Sequence, residues 1–422
     1  MPTLTYNAST GSDTAASGAG PATAITGSSA TAGIGKIVNL DGSPDLSGVS
    51  AGDVLYAGTA GSNRKLSRIT AVDDSLNTVT TEDTLTLAAG KAWAIGGKRA
   101  SLEGSTSRRD WSDGKAGWTF ELEAGTYPMT GTVVMPAVGS TADGPLAVQA
   151  AAGASPKITW TGDHDMFTLV ANTHLRVVGV EFENTTSTAD AVRMIRAATG
   201  PVSLDIRDCT VTCPGTCIWS GITVFGRITG CTLESTRNSG ILLDGSSSTL
   251  IWNNVIRRCG VSRASSGTGQ GIELELDGGS AGVTVIGNII RDCYANGIDI
   301  HSDSTDCKVS ILNNAIHDNG GDGIFARGTL DATNWQSIAN NIITDNGGYG
   351  VSFNTATGSS LTCWTDHNAF RGNTSGEVLN VAKGASSLTL SADPYLDAAS
   401  DDYQLNDTAG GGAACLDAGY GY

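Results

Sequence analysis

The most regular feature of the chain is a short segment that begins with glycine and then alternates apolar and polar residues. Its copies are Gly240-Ile-Leu-Leu-Asp, Gly271-Ile-Glu-Leu-Glu, Gly297-Ile-Asp-Ile-His, Gly323-Ile-Phe-Ala-Arg and Gly350-Val-Ser-Phe-Asn. Alternation places successive side chains on opposite faces of a β-strand, whereas a helix needs apolar residues at a period near 3.6. The pattern therefore predicts strands in which the residue after glycine faces a core.

A second unit recurs between these strands, with asparagine or cysteine followed by two mostly apolar residues. Its anchors are Val180, Cys209, Cys231, Asn254, Asn288, Asn314, Asn341 and Asn368. Successive anchors are separated by 22 to 34 residues, and a strand-based repeat of this length is typical of a solenoid. Leucine-rich repeats have similar periods but carry leucine at fixed places, which these units lack. The sequence therefore predicts an all-β protein whose main part is a parallel β-helix.

The aligned asparagines predict a ladder in which each side chain binds backbone groups at a bend, from one coil to the next. A second ladder is predicted five residues later, at Cys259, Cys293, Asn319, Asn346 and Asn373. Clusters of Gly, Asn and Asp between the strands supply the residues that adopt positive φ at such corners.

The segments outside the repeats differ in composition and divide the chain into four parts. Residues 1–33 are mainly Ala, Ser, Thr and Gly, so we expect a flexible arm that only a partner orders. Residues 34–98 contain short strands and turns that predict a small β-barrel or sandwich head. We expect the β-helix over residues 99–385 and a capping segment over residues 386–422, because solenoids need terminal caps.

Two segments carry a resemblance to known proteins. Trp118-Thr-Phe-Glu-Leu-Glu-Ala-Gly-Thr-Tyr resembles the opening coil of sugar-acting β-helix proteins, and Ala392-Asp-Pro-Tyr-Leu-Asp begins a tail that resembles their closing segment. From about residue 100 to 420, the chain resembles the right-handed, single-stranded parallel β-helix (pectate-lyase-like) superfamily, most of all phage tailspike and virion proteins. The resemblance implies right-handed coils. It does not fix an activity, since lyases, hydrolases, epimerases and tailspikes share this fold.

Composition limits the possible partners. The formal net charge of −17 argues against nucleic acid and anionic membranes as partners. The chain contains no run of 18 apolar residues, the length that could span a bilayer. The nine cysteines are an odd number, and most lie within the repeats. We expect buried, reduced thiols, with a stacked disulfide as the alternative. Cys213 and Cys217 lack the second ligand pair that a zinc site needs.

Alternation also predicts which side chains face outward from the glycine-led strands. The first outward column is Leu242, Glu273, Asp299, Phe325 and Ser352, and the second is Asp244, Glu275, His301, Arg327 and Asn354. We predict a catalytic patch of Glu273, Glu275, Asp299 and His301 on two adjacent coils. Carboxyl pairs at these spacings suit glycoside hydrolysis, and crowded like charges raise one carboxyl pKa. The alternative is a solvated strand face with paired charges.

Five further residues are candidates for substrate binding: Asp244, Arg327, Asn354, Tyr294 and Phe325. Among them, Arg327 could neutralise a uronate. The segment Gly297-Ile-Asp-Ile-His resembles the Gly-Phe-Asp-Pro-His motif of alginate epimerases, which implies catalytic roles for Asp299 and His301. Ile300 stands in place of that proline, and Asn296 stands in place of the tyrosine before the glycine.

We expect no cofactor and no metal, although calcium bound by Asp299, Asp303 and Asp306 is an alternative. Two classes of function stay open. The first is a phage virion protein of the tailspike type, a homotrimer that binds other virion proteins through its N-terminal region and host polysaccharide through the β-helix. The second is a secreted polysaccharide lyase, glycoside hydrolase or uronate epimerase. The first residues lack the basic and apolar regions of a secretory signal, so we expect a virion location.

Overall fold

The protein is almost entirely β-structure arranged as two compact units. The computed structural model describes residues 3–6, 25–32, 36–51, 53–57, 65–85, 91–95, 117–129, 131–137, 144–184, 189, 192–197, 200–221, 223–245, 248–262, 269–276, 281–302, 307–328, 335–354, 362–416 and 418–419. The first unit comprises Met1–Thr161 and Asn172–Glu183, and the second comprises Gly162–Ala171 and Asn184–Tyr422.

The first unit contains a closed antiparallel barrel. Its strands are Ile25–Ala32, Ile37–Leu40, Val54–Ala57, Lys65–Asp73, Thr78–Thr81 and Lys91–Ile95. Alternating residues of these strands fill the barrel, among them Val38, Ile69 and Trp93, which are at most 2% exposed. The indole Nε1 of Trp93 donates a hydrogen bond to Asp41 Oδ1 at 2.9 Å, so its polar edge is satisfied. The small N-terminal β domain expected from the sequence is confirmed.

The first unit also contains parallel strands of the solenoid. These strands belong to three sheets. The first sheet contains Thr3–Tyr6, Thr119–Leu122, Leu146–Ala150 and His174–Val178, and the second contains Gly125–Met129, Pro156–Trp160 and Glu181–Glu183. The third contains Val133–Met135. Thr3–Tyr6 pairs in parallel with Thr119–Leu122. Residues 3–6 and 25–32 are therefore strands, contrary to the expectation of a flexible arm over residues 1–33, and pairing with other strands of this chain orders their backbone. Residues 7–24 lie outside the described part of the chain.

The second unit is a stack of coils whose strands form three parallel sheets. Sheet 1 contains Val202–Arg207, Thr223–Thr229, Thr249–Trp252, Ala281–Ile286, Cys307–Leu312, Trp335–Ala339 and Thr362–Asp366. Sheet 2 contains Thr210–Cys213, Thr232–Ser235, Val255–Arg257, Ile289–Arg291, Ala315–His317, Ile342–Thr344, Ala369–Arg371 and Leu388–Thr389. Sheet 3 contains Phe167–Leu169, Ile195–Ala197, Ile218–Ser220, Ile241–Asp244, Ile272–Glu275, Ile298–His301, Ile324–Arg327, Tyr349–Phe353 and Gly376–Leu379.

Each coil passes through sheets 1, 2 and 3 in turn, so the predicted parallel β-helix is confirmed. The residues after the glycines of sheet 3 face the core as predicted. Ile241, Ile272, Ile298, Ile324 and Val351 are each 0% exposed.

The asparagine ladder forms at the bend between sheets 1 and 2. The backbone N–H and the side-chain Nδ2 of Asn254 both donate to Asn288 Oδ1, each at 2.9 Å. Asn288 repeats both contacts with Asn314 of the following coil. The second ladder repeats the arrangement at the end of sheet 2, where Asn319 donates to Asn346 Oδ1. Both predicted ladders are therefore present, and they satisfy polar groups that the bends would otherwise bury unpaired.

The C-terminal segment forms a cap that packs on the outer face of sheet 2. It consists of the antiparallel strands Tyr395–Asp397 and Asp402–Leu405, a 3-10 turn at Ala398–Ser400 and a short helix at Gly412–Cys415. Tyr395 is 3% exposed, and its ring lies 5.7 Å from that of His317 in an edge-on contact. Arg257 Nη1 of sheet 2 lies 3.0 Å from Asp401 Oδ2.

All nine cysteines are free, as the composition suggested. Most are buried in the coils, and the Sγ atoms of Cys213 and Cys217 lie 3.5 Å apart. Burial raises the pKa of the Cys217 and Cys259 thiols well above the ordinary value. Buried thiols with raised pKa values are poor nucleophiles, so these side chains act as small core residues.

The ladder gives a prediction for stability. Asn288→Ala removes the acceptor of the Asn254 N–H and the donor that binds Ile251 O at 3.0 Å. Each buried group left unpaired costs about 1–3 kcal/mol, so we expect a loss of about 3 kcal/mol in the free energy of unfolding. Urea denaturation measures it, with the exposed Asn354→Ala as the control. Equal midpoints for the two variants would contradict a structural role for the ladder.

Candidate functional site

The register of sheet 3 aligns both outward columns that the sequence predicts. In the first column, Glu273 lies opposite Asp299, which lies opposite Phe325. In the second column, Glu275 lies opposite His301, which lies opposite Arg327. Neighbouring strands are about 4.8 Å apart, so the four predicted catalytic residues occupy one patch of two adjacent coils.

The two central carboxyl groups are buried, although the sequence predicted that they face water. Glu273 is 6% exposed and Asp299 is 2% exposed. Glu273 accepts a hydrogen bond from Ser239 of the preceding coil, and Asp299 accepts from Asn296 of its own coil and from Arg327 of the following coil. The alternative of a fully solvated charged face is therefore wrong for these two residues, and only Glu275 and His301 are partly exposed.

The hydrogen-bond partner of Glu273 is a neutral side chain, the hydroxyl of Ser239. Ser239 Oγ is 2.7 Å from Glu273 Oε2 and 3.1 Å from Gln270 Oε1. The Ser239 hydroxyl has one hydrogen, so it donates either to Glu273 Oε2 or to Gln270 Oε1 and cannot donate to both at once. Burial raises the pKa of Glu273, and the nearby Glu275 and Asp299 add to this effect, while Ser239 and Arg327 oppose it.

Asp299 has charged and polar donors instead. Arg327 Nε donates to Asp299 Oδ1 at 3.0 Å, and Asn296 Nδ2 donates to Asp299 Oδ2 at 3.0 Å. Burial lowers the pKa of Arg327, but Asp299 and the two glutamates outweigh it and the net shift is upward. Arg327 therefore stays a cation next to Asp299. The Arg327 side chain is 37% exposed, whereas the Asp299 side chain is 3% exposed, so solvent reaches the guanidinium group more readily than the carboxyl group.

The residues that directly precede the glycines form a supporting polar column, which the sequence analysis missed. They are Ser239, Gln270, Asn296, Asp322 and Tyr349. Asn296 Oδ1 accepts a hydrogen bond from the Asp322 N–H at 2.8 Å, and Asp322 Oδ1 accepts one from the Tyr349 N–H at 2.6 Å. Their common position before glycine is visible in the sequence and could have identified them.

The remaining predicted residues lie around this centre with different exposure. Asp244 and Phe325 are partly exposed on sheet 3, and Asn354 is exposed just after its strand. Tyr294 is 45% exposed at the bend that leads into Ile298–His301. Glu273 bonds Ser239 and Asp299 bonds Arg327, whereas no such bond links Asn354 or Tyr294 to these carboxyls among the described residues.

Nothing in the described residues forms a metal centre, since no group of three or more His, Cys, Asp or Glu side chains could hold an ion there. Asp299 binds Arg327, whereas Asp303 and Asp306 of the calcium alternative lie outside the described residues. Over the same ranges, no helix is long and apolar enough to cross a membrane.

The arrangement places two carboxyl groups of different character on adjacent strands. A carboxyl with a raised pKa can donate a proton, and a carboxyl bound to arginine can act as a nucleophile or base. Adjacent strands are separated by about 4.8 Å, close to the roughly 5–5.5 Å between the two carboxyl groups of retaining glycosidases.

A family model described as a right-handed β-helix region matches residues 169–310. No curated protein sequence matches the chain. Similar solved structures include pectate lyase Pel9A, with 12% identity and a TM-score of 0.46 over 71% of this chain and 84% of that chain. The periplasmic alginate epimerase AlgG has 13% identity and a TM-score of 0.31 over 64% of this chain and 77% of that chain.

The Dettilon tailspike protein is also similar, with 15% identity and a TM-score of 0.35 over 66% of this chain and 56% of that chain. The chain thus spans just over half the length of that tailspike. At these identities, each similarity is one of fold alone.

The environment of Glu273 gives a prediction for pH dependence. The pKa is raised above the ordinary 4.5 in the folded protein, so the folded state binds more protons than the unfolded state just above that pH. The stabilisation by this group is complete below pH 4.5 and is lost as the pH rises through the folded pKa. Because glutamine mimics the protonated carboxyl, Glu273→Gln should match the wild-type melting temperature at pH 4 and exceed it by several degrees at pH 8.

Thermal unfolding by circular dichroism measures this difference. Glu181→Gln is the matched control, because Glu181 is 47% exposed and binds Lys157 at the surface; its effect should be small at both pH values. A difference for Glu273→Gln that does not change between pH 4 and pH 8 would contradict the raised pKa.

Proposed function

We propose that this protein is a glycan-cleaving β-helix protein of the tailspike type, which a virus particle presents to polysaccharide on its host. The observation that carries the glycan part is the pair of buried carboxyls, Glu273 and Asp299, with neutral partners at one and a guanidinium at the other. The raised pKa of Glu273 suits a general acid, and the bonds from Arg327 and Asn296 hold the Asp299 carboxyl in position as a nucleophile or base.

In the proposed reaction, Glu273 protonates the oxygen of the glycosidic bond as that bond breaks. Asp299 attacks the anomeric carbon and forms a glycosyl ester, which water hydrolyses with Glu273 as the base. Arg327 binds Asp299 through Nε, and its partial exposure suits a first contact with an incoming sugar. A negatively charged sugar group would compete with Asp299 for the guanidinium and release the carboxylate for attack.

The role as a virion spike rests on the organisation of the chain and is a separate part of the proposal. The antiparallel barrel suits attachment to other virion proteins, and the β-helix suits contact with a long glycan. We infer a homotrimer, supported by exposed aromatic side chains on sheet 1. Phe225 is 60% exposed and Trp252 is 52% exposed, and association of copies of the chain through sheet 1 would remove both rings from water.

The cleavage prediction is tested on a panel of neutral and acidic polysaccharides, with reducing ends as the readout. Glu273→Gln removes the acid, so we expect a 10²–10⁴-fold loss of kcat with little change in KM. The exposed Glu181→Gln should keep wild-type activity. Retained cleavage in Glu273→Gln would contradict the acid role, and absorbance of an unsaturated uronate would assign the site to a lyase instead of a hydrolase.

The assembly prediction is tested by analytical ultracentrifugation of the full chain at micromolar concentration. We expect the mass of three chains, because closed symmetric assembly buries exposed apolar surface of each copy. Phe225→Ser with Trp252→Ser should shift the distribution toward monomer. The matched control is Leu416→Ser, which changes a side chain that is 53% exposed near the C-terminus. A wild-type protein that stays monomeric at tens of micromolar would contradict the trimer.

A further inference from the structure

The outer face of sheet 3 continues from the carboxyl pair toward a second group of charged residues. In register along the sheet, Arg196 lies opposite Trp219, Trp219 lies opposite Leu242, and Leu242 lies opposite Glu273. Arg196 and Glu273 are therefore three strand spacings apart, about 14 Å. The sequence analysis assigned no function to Arg196 or Trp219.

Two arginines share one carboxylate at this second position. Arg193 Nη1 is 3.5 Å from Asp165 Oδ1, and Arg196 Nη1 is 3.7 Å from Asp165 Oδ2. Both distances exceed that of a good hydrogen bond, so Asp165 holds the two guanidinium groups only weakly. Burial also raises the pKa of Asp165, against the effect of both arginines, which weakens its power to neutralise them.

Trp219 holds the two guanidinium groups in place. The Cζ atoms of Arg193 and Arg196 lie 4.9 and 5.7 Å from the centroid of its ring, within the range of cation–π contact. The Arg196 side chain is 44% exposed, so a ligand can reach it. A guanidinium group that is held in place by an aromatic ring and is partly exposed is suited to a carboxylate, which arginine binds through two parallel hydrogen bonds.

We propose that Arg193 and Arg196 form a subsite for the carboxylate of a uronic acid unit, in the same polysaccharide chain that reaches Glu273 and Asp299. The inference rests on the proposed function and adds the substrate class, an acidic polysaccharide. Trp219 and Leu242 lie between the two positions, and such apolar surfaces suit the faces of sugar rings.

The negative net charge of the protein determines where an acidic polysaccharide could bind. A chain with a net charge of −17 repels a polyanion over most of its surface. The partly exposed Arg196 places a cation on the sheet that carries the carboxyl pair. An acidic polysaccharide would therefore bind along sheet 3 in one place, with its position fixed by the arginines about 14 Å from Glu273.

Affinity electrophoresis tests the subsite with polygalacturonate, alginate and hyaluronate, each beside its carboxyl-reduced form. We expect retardation by at least one acidic chain and little by its reduced form. Arg196→Gln should weaken the binding of the acidic chain about tenfold or more, since a hydrogen bond between charged groups is lost. Trp219→Ala should weaken it as well, and Trp219→Phe should keep most of it, because a ring still holds the guanidinium groups.

The control is Arg227→Gln, which removes the same charge from an exposed residue of sheet 1 and should bind as the wild type does. Melting temperatures check that each variant is folded. Equal binding of an acidic chain and its reduced form, or unchanged binding by Arg196→Gln, would overturn the subsite. If Glu273→Gln then still abolishes cleavage, the proposed function stands without it, whereas no binding and no cleavage of any polysaccharide would overturn both.

Discussion

The stacking of coils in register is the constraint on which the rest of the structure depends. Side chains alternate between the two faces of a strand, so a slip of one residue would exchange the core and the outer face. The asparagine ladders oppose such a slip, because Asn254, Asn288 and Asn314 bind one another through backbone and side-chain groups at each bend. The position of Glu273 opposite Asp299 is therefore a consequence of bonds made at another corner of the coil.

Burial gives these two carboxyls their different character. In water, Glu273 and Asp299 would differ little, but in the stack one binds a serine hydroxyl and the other a guanidinium. Removing a carboxyl from water favours its neutral form unless a cation is close. The coil before Glu273 supplies Ser239, and the strand after Asp299 supplies Arg327, so the difference arises from neighbouring coils. A change in either neighbour would alter the chemistry without changing the carboxyls themselves.

The sequence predicts those parts of the fold and site that follow from alternation and from aligned anchors. It therefore identifies the inward residues, both ladders and both outward columns. It does not predict the burial of Glu273 and Asp299, because that depends on side chains such as Ser239 and Asn296 from positions outside the alternating strands. The strand Thr3–Tyr6 is missed because its partner, Thr119–Leu122, lies far away in the sequence and outside the repeat. The Arg196 and Trp219 strands begin after Met194 and Cys217 instead of glycine, so the repeat pattern does not align them.

The three sheets of the second unit present different surfaces, so a stack of similar coils can make a different contact on each sheet. Sheet 2 packs against the C-terminal hairpin through Tyr395 and Asp401. Sheet 1 carries the exposed aromatic residues Phe225 and Trp252, whereas the outer face of sheet 3 carries arginines and carboxyls. Because each coil contributes one strand to every sheet, a substitution on one sheet need not disturb the other two. A β-helix can therefore acquire a hairpin contact, a protein contact and a glycan contact independently, while the ladders keep all three in register.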